Sequence, residues 1–135
     1  MPSYLLDTDI CSYVIKRKHL ELLSKIRAGL VNEEIAISAI TRGELLYGLE
    51  ILPNATTFKF AVLAFLDYIP CLEWPVAAAD HYAKLRGSQK MTGNHVGYMD
   101  TLIACHALAE NLILVTNNER DFARIPGLKI ENWAA

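Results

Sequence analysis

The chain has 135 residues, of which 53% are hydrophobic and 21% are charged. This length suits one domain, because single domains cluster near about 100 to 150 residues, and the composition excludes a mainly disordered chain. Thirteen Lys and Arg face fifteen Asp and Glu, a net charge of −2. With no basic excess over the surface, a nucleic-acid partner would have to be held locally.

The longest apolar stretch, residues 60–66, is far shorter than the roughly 20 residues that span a membrane. The N-terminus is acidic by Asp7 and lacks the pattern of a signal peptide. Cys11, Cys71 and Cys105 are widely spaced and contain no CxxC pair, so we expect three buried thiols in a reducing compartment. We therefore expect a cytoplasmic protein with no membrane association.

Strand and helix patterns alternate along the chain. Short apolar runs predict strands at residues 4–6, 35–37, 71–73, 112–115 and 128–130. Helical spacing predicts helices at residues 11–15, 20–30, 55–67, 76–90, 98–110 and 119–123, with Gly29 ending the second of them and a loop at residues 91–97. A further helix, capped by Ser38 or Thr41, is predicted to run to about Ile51. This order predicts an α/β fold, a mostly parallel sheet flanked by helices, in one domain over residues 1–135.

Four acidic residues occupy unexpected positions. Asp7 and Asp121 follow buried strands, Glu44 lies in an apolar helical stripe, and Asp100 begins an apolar helix. Each also has an ordinary structural explanation: a helix cap for Asp7, an ion pair with Arg42 or a lysine for Glu44, a helix-dipole contact for Asp100 and an exposed turn for Asp121. All four stay candidates because the carboxyl ends of parallel strands form the usual ligand site.

Carboxylates gathered at that edge would repel one another, by about 4 kcal/mol for each pair at ~4 Å. Protonation or a cation must relieve this repulsion. All-oxygen sites of this kind suit Mg²⁺ or Mn²⁺, which takes its remaining ligands from water and substrate phosphate. The residues by themselves therefore predict a metal-dependent nuclease or phosphatase.

Four segments resemble the PIN-domain ribonucleases, and more closely the VapC toxins of bacterial type II toxin–antitoxin modules. Their order and spacing match the family's blocks, and the resemblance extends through the terminal LKIENW. The segments are LLDTDIC from Leu5, SAITRGELLYG from Ser38, GYMDTLIACHAL from Gly97 and LVTNNERDF from Leu114.

The resemblance implies a Rossmann-like PIN fold and a Mg²⁺- or Mn²⁺-dependent endoribonuclease that cuts structured RNA, often a tRNA anticodon stem-loop, and so inhibits translation. It implies a homodimer neutralised by a VapB-type antitoxin whose C-terminal tail covers the active site. DNA is reached only indirectly, through that antitoxin.

The resemblance also implies roles for individual residues. Asp7, Glu44 and Asp100 match the family's acidic positions. Of these, Asp7 and Asp100 would bind the metal, while Glu44 would orient the attacking water or hold a second ion. Asp121 or Asn118 supplies the fourth position, and Asp121 is preferred, with Asn118 as a polar helper. The hydroxyls of Thr8 and Thr116 would orient ligands or water.

The sequence departs from the family pattern at Asp9, where Asn is usual. This extra negative charge either tightens metal binding or weakens RNA approach. Near the acidic residues, the side chains of Lys90, His95 and Tyr98, and the run Lys16, Arg17 and Lys18, are predicted to contact RNA phosphates or to be ordinary solvated surface groups.

His106 is expected to be a packed histidine rather than a catalyst, because it faces apolar neighbours on its helix. Two other functions stay open. A non-catalytic PIN-like binding subunit would gain nothing from clustered carboxylates. A metal-dependent phosphatase would match the Asp7-Thr8-Asp9 spacing, but the chain offers no convincing lysine or downstream acidic pair.

Overall fold

In a computed structural model, which describes residues 2–93 and 96–135, strands and helices alternate as the sequence predicts. The strands are β1 (Tyr4–Leu6), β2 (Ile35–Ser38), β3 (Cys71–Leu72), β4 (Ile113–Val115) and β5 (Ile130–Glu131). The helices are α1 (Thr8–Lys16), α2 (Leu20–Val31), α3 (Ala39–Glu50), α4 (Thr56–Tyr68), α5 (Ala77–Thr92), α6 (Tyr98–Glu110) and α7 (Glu119–Phe122).

The five strands form one parallel sheet in the order β3-β2-β1-β4-β5. Strand β1 is central, and Leu6 aligns with Ile37 of β2 on one side and with Val115 of β4 on the other. From β1 the chain builds the sheet outward in one direction to β3, and later in the other direction through β4 and β5. The strand order therefore reverses at the β1–β4 boundary, where a crevice forms in sheets of this type.

Apolar side chains cover both faces of the sheet. One buried cluster includes Leu6, Ile37 and Val115, packed with residues of α1, α2 and α4. The other includes Leu5 and Leu114, packed with residues of α6. The alternation along β1 and β4 thus places successive side chains in opposite cores, as expected for a sheet with helices on both faces.

Two smaller predictions are wrong. Helix α2 continues through Gly29 to Val31, because the missing side chain lets the helix lie against Ile35 of β2: a Cβ at Gly29 would be 2.6 Å from Ile35 Cγ2. Cys71 is exposed, because it lies in the short edge strand β3, whereas Cys11 and Cys105 are buried as expected. No helix within residues 2–93 and 96–135 has both the length and the apolar character required to cross a bilayer.

Candidate active site

Three polar residues follow three neighbouring strands at the carboxyl edge of the sheet. Asp7 follows β1, Ser38 ends β2 and Thr116 follows β4, and all three side chains are buried. The Asp7 amide donates to the Val115 carbonyl at 3.0 Å, so the ladder between β1 and β4 continues to the first residue of the site. Register and strand order thus place Asp7 beside Thr116.

Asp7 is the N-cap of α1, as predicted. Its carboxylate oxygen Oδ1 accepts a hydrogen bond from the Ile10 amide at 2.8 Å, while only 2% of the residue is exposed. The pKa of Asp7 is raised to about 7, mainly by burial and to a smaller extent by the charges of Asp9 and Asp100, while the hydrogen bonds from Thr116 and Ile10 oppose the rise. Capping therefore explains the position of Asp7 but leaves its charge uncompensated.

Glu44 lies in α3, and its carboxylate accepts a hydrogen bond from Thr8, the first residue of α1. The Thr8 hydroxyl lies 2.6 Å from Glu44 Oε1 and 3.2 Å from Thr41 Oγ1. The predicted apolar stripe around Glu44 is only partly buried: Ile40 packs against the core, whereas Tyr47 and Ile51 are 65% and 56% exposed. Thr41 was not predicted from the sequence, since nothing in the spacing of Thr8 and Thr41 shows that α1 and α3 meet here.

Asp100 lies in the first turn of α6 and is the residue around which the other acids gather. Partial burial, followed by the charges of Asp9, Glu44 and Asp121, raises the pKa of Asp100 to about 6. Together with the influence of Asp100 on Asp7, these couplings place all four predicted acids, and Asp9, in one electrostatic neighbourhood.

Asp121 and Asn118 are joined to each other. Asn118 Nδ2 donates to Asp121 Oδ2 at 3.0 Å, and the Asn118 amide donates to Thr116 Oγ1 at 2.9 Å. A continuous set of hydrogen bonds therefore runs from Asp7 through Thr116 and Asn118 to Asp121. Asn118 thus holds the Asp121 carboxylate in place through a hydrogen bond.

Of the other residues predicted to contact RNA, Tyr98 and Lys90 lie on α6 and α5. Tyr98 begins α6, is 63% exposed and stacks under Arg86, whose Cζ is 4.1 Å from the ring centroid. Lys90 is exposed in the last turn of α5, and His95 lies outside the described residues. The sequence did not predict the contact with Arg86, because Arg86 and Tyr98 are twelve positions apart and no motif links them.

The basic run at residues 16–18 is separated from Asp7 by the length of α1. Asp7 caps the start of α1, whereas Lys16 is its last residue, so the basic run lies about 14 Å away at the far end of the helix. His106 is fully buried, as predicted for a packed histidine.

The acids fit a hard divalent cation by the chemistry of their donors. Within residues 2–93 and 96–135, no three carboxylate, imidazole or thiol groups are already as close together as the ligands of one ion. The nearby donors are oxygens from carboxylates and threonine hydroxyls, and burial together with repulsion between the carboxylates raises the pKa values of Asp7 and Asp100. Mg²⁺ commonly binds through one or two carboxylates and keeps several waters, which suits an open group of this kind.

Comparison with known proteins identifies the family. The PIN domain model matches residues 4–128. Ribonuclease VapC2 of Rickettsia felis is 38% identical over 136 residues, covering 96% of this chain and 97% of its own. The tRNA(fMet)-specific endonuclease VapC of Shigella flexneri is 36% identical over 134 residues, covering 99% and 100%.

A solved complex has the same fold. The crystal structure of VapBC2 from Rickettsia felis, bound to a DNA fragment from their promoter, superposes with a TM-score of 0.88 at 35% identity, covering 96% of this chain and 98% of that one. The fold, the acidic residues at the sheet edge and these full-length similarities agree, and the chain belongs to the PIN-domain family, among the VapC ribonucleases.

Proposed function

We propose that this protein is the toxin of a type II toxin–antitoxin module and a Mg²⁺- or Mn²⁺-dependent endoribonuclease that cuts tRNA in its anticodon region, which stops translation. The observation that supports this most strongly is the gathering of Asp7, Glu44, Asp100 and Asp121 around one crevice, two of them with raised pKa values. Residues 1–135 would form one PIN domain that acts in the cytoplasm, where its substrate is made.

Asp7 and Asp100 would hold the metal, with Glu44 beside them. When bound, the ion would supply positive charge that lowers the pKa of water and stabilises the extra charge on the phosphate in the transition state. Thr8 fixes the Glu44 carboxylate, which is then placed to orient the attacking water. Asn118 and Thr116 hold Asp121 and Asp7 in a fixed relation.

The reaction would be a simple hydrolysis. Water attacks phosphorus, the bond from phosphorus to the 3′ oxygen breaks, and that oxygen takes up a proton. The products carry 5′-phosphate and 3′-hydroxyl ends. Attack by the RNA's own 2′-hydroxyl would instead leave a cyclic phosphate and calls for a general acid–base pair. His106, the histidine nearest the site in sequence among those described, is fully buried on α6 and bonded to Ser38.

The test is cleavage of total tRNA by the purified protein with Mg²⁺, with and without EDTA, followed by mapping of both fragment ends. The key variant is Asp7→Asn, since Asn can still cap α1. The matched control is Asp67→Asn, which removes one charge from an exposed position on α4.

We expect discrete cuts that need Mg²⁺, persist in Asp67→Asn and disappear in Asp7→Asn. Cyclic-phosphate ends would contradict the hydrolytic mechanism. Intact tRNA that nevertheless binds the protein would favour the non-catalytic binding subunit. Release of inorganic phosphate from a monoester, without RNA cuts, would favour the phosphatase.

The partners follow from the same family. We propose a homodimer and a VapB-type antitoxin whose C-terminal tail covers the acidic residues, with DNA contacted only through the antitoxin. A groove of about 280 Å³ between α1, α2 and α4 is available to a partner, and Tyr68 at its edge is 77% exposed. An antitoxin arginine could satisfy the carboxylates by charge-assisted hydrogen bonds in place of metal. Asp100→Asn should then weaken antitoxin binding, and unchanged affinity would count against this device.

A further inference from the structure

Helices α3 and α6 are joined by a buried hydrogen bond that lies outside the acidic group. His106 Nδ1 is 2.8 Å from Ser38 Oγ, and both residues are fully buried. Ser38 Oγ also accepts the Ile40 amide at 3.1 Å, as the N-cap of α3. One serine hydroxyl therefore both begins the helix that contains Glu44 and binds the helix that contains Asp100.

The two carboxylates lie at matching distances from this bond. Glu44 comes six residues after Ser38 in α3, and Asp100 comes six residues before His106 in α6. Six helical residues span about 9 Å. Glu44 is close enough for its charge to raise the pKa of Asp100, and one groove is lined by side chains of both helices. The hydrogen bond thus lies at one end of the α3–α6 contact and the two carboxylates at the other.

Burial of the His106 ring carries a free-energy cost that an apolar side chain would not carry. Its Nε2 has no hydrogen-bond partner among the described residues, and burial lowers the pKa of His106, which keeps the ring neutral. A buried polar atom without a partner is unfavourable, whereas an apolar side chain of similar size would carry no such cost. Among the described residues, Ser38 alone forms a hydrogen bond with the ring, and this bond is what a leucine at position 106 would lose.

We propose that His106 is a positioning residue that sets the separation of Glu44 and Asp100 through its hydrogen bond to Ser38. The proposal rests on the proposed metal-dependent hydrolysis. If the bond is lost, the separation of Glu44 and Asp100 should become less well defined, although both carboxylates are still present. Changes in residues that support metal ligands typically cost about 10- to 100-fold in affinity or activity.

The test compares four variants of the full chain. His106→Leu and Ser38→Ala each remove the bond. In His106→Asn the side-chain amide takes the place of Nδ1 and can still reach Ser38, whereas in His106→Gln the amide extends to the position of Nε2. Mn²⁺ affinity is measured by calorimetry, kcat and KM are measured on tRNA, and circular dichroism at the assay temperature selects the variants that fold.

We expect His106→Leu, His106→Gln and Ser38→Ala to bind Mn²⁺ about tenfold more weakly and to lower kcat by about tenfold, with KM for RNA within about twofold of wild type. His106→Asn should stay within about threefold of wild type in both. The double variant Ser38→Ala/His106→Leu should lose no more Mn²⁺ affinity or kcat than the more strongly affected single variant, because both changes break the same hydrogen bond.

Wild-type Mn²⁺ affinity in His106→Leu or His106→Gln would overturn the positioning role, as would additive effects in the double variant. Equal losses in His106→Asn and His106→Leu would also overturn it, because His106→Asn keeps the bond to Ser38 and His106→Leu does not. These failures are separate from failure of the proposed function, which would appear as a wild-type protein that neither binds Mn²⁺ nor cuts RNA.

Discussion

At the residue scale, the site consists of carboxylates that are partly or fully buried and lie near other acidic side chains. Asp7 is the clearest case, because it is buried at the end of the central strand and caps a helix, yet its neighbours Asp9 and Asp100 are also acidic. The protein thus keeps an unfavourable charge in a fixed place. This is the pattern expected where a cation or a positively charged group completes the site.

Replacement of Asp7 should stabilise the protein in a pH-dependent way. The pKa of Asp7 is about 7 when folded and near 3.8 when unfolded, so the folded state binds the extra proton between these values. Stability is greatest below the unfolded pKa and falls as the pH rises through about 7. At pH 8, Asp7→Asn should raise the free energy of unfolding by about 1–3 kcal/mol, and at pH 4 by less than about 0.5 kcal/mol.

Urea denaturation at the two pH values without divalent metal measures this difference. Asp67→Asn is the control, because the same charge is removed from an exposed helical position. A gain that is equal at pH 4 and pH 8 would show that burial of the Asp7 charge is not its source.

Loss of the Thr116 hydroxyl should shift metal binding to higher pH. The hydrogen bond from Thr116 lowers the pKa of Asp7, so Thr116→Val should raise that pKa by about one unit. Because a carboxyl must ionise to bind a cation, the midpoint of Mn²⁺ affinity against pH should rise by a similar amount. Calorimetry between pH 5.5 and 8.5 checks this, with the exposed Thr57→Val as control. An unchanged midpoint would contradict the assigned role of Thr116.

At the scale of the elements, helix starts decide where the functional groups lie. Asp7 caps α1 and Ser38 caps α3, each directly after a strand of the same sheet. Hence the polar side chains that satisfy helix amides are also those that reach the carboxyl edge. The position of α2 depends instead on a close approach to β2 that only glycine permits.

Gly29→Ala should destabilise the protein by about 1–3 kcal/mol, because the new Cβ meets Ile35 at 2.6 Å and the helix must shift from the sheet. Gly87→Ala in α5 is the matched control, since no atom lies within 4 Å of its added Cβ. That change should instead stabilise by about 0.5–1 kcal/mol through helix propensity. Chemical denaturation of both variants measures the difference, and stabilisation by both would refute the close approach.

At the scale of the whole molecule, the net charge is only −2, but the negative charges are concentrated at one edge of the sheet. Five acidic side chains influence one another at one edge of the sheet, while basic residues such as Lys16 lie elsewhere. Average charge therefore says little about which ions or polymers this protein attracts. The local field at the crevice decides that.

Divalent metal should stabilise the whole fold by binding to this edge. A ligand at 100 times its Kd adds about 2.7 kcal/mol to the free energy of unfolding when it binds only the folded state. We expect Mn²⁺ to give a gain of this order in wild type and little in Asp100→Asn. Thermal denaturation at constant ionic strength measures it. Equal gains in both proteins would place the binding elsewhere.

The order of strands and helices and the four acidic candidates could be predicted from the sequence, because apolar periodicity and strand-to-helix transitions are local properties. Asp7 as a cap and His106 as a packed residue could likewise be predicted from their immediate neighbours. Only the folded structure shows that Thr8 holds Glu44 and that His106 binds Ser38 across 68 positions. These contacts depend on how helices pack over a twisted sheet, and no spacing along the chain encodes that geometry.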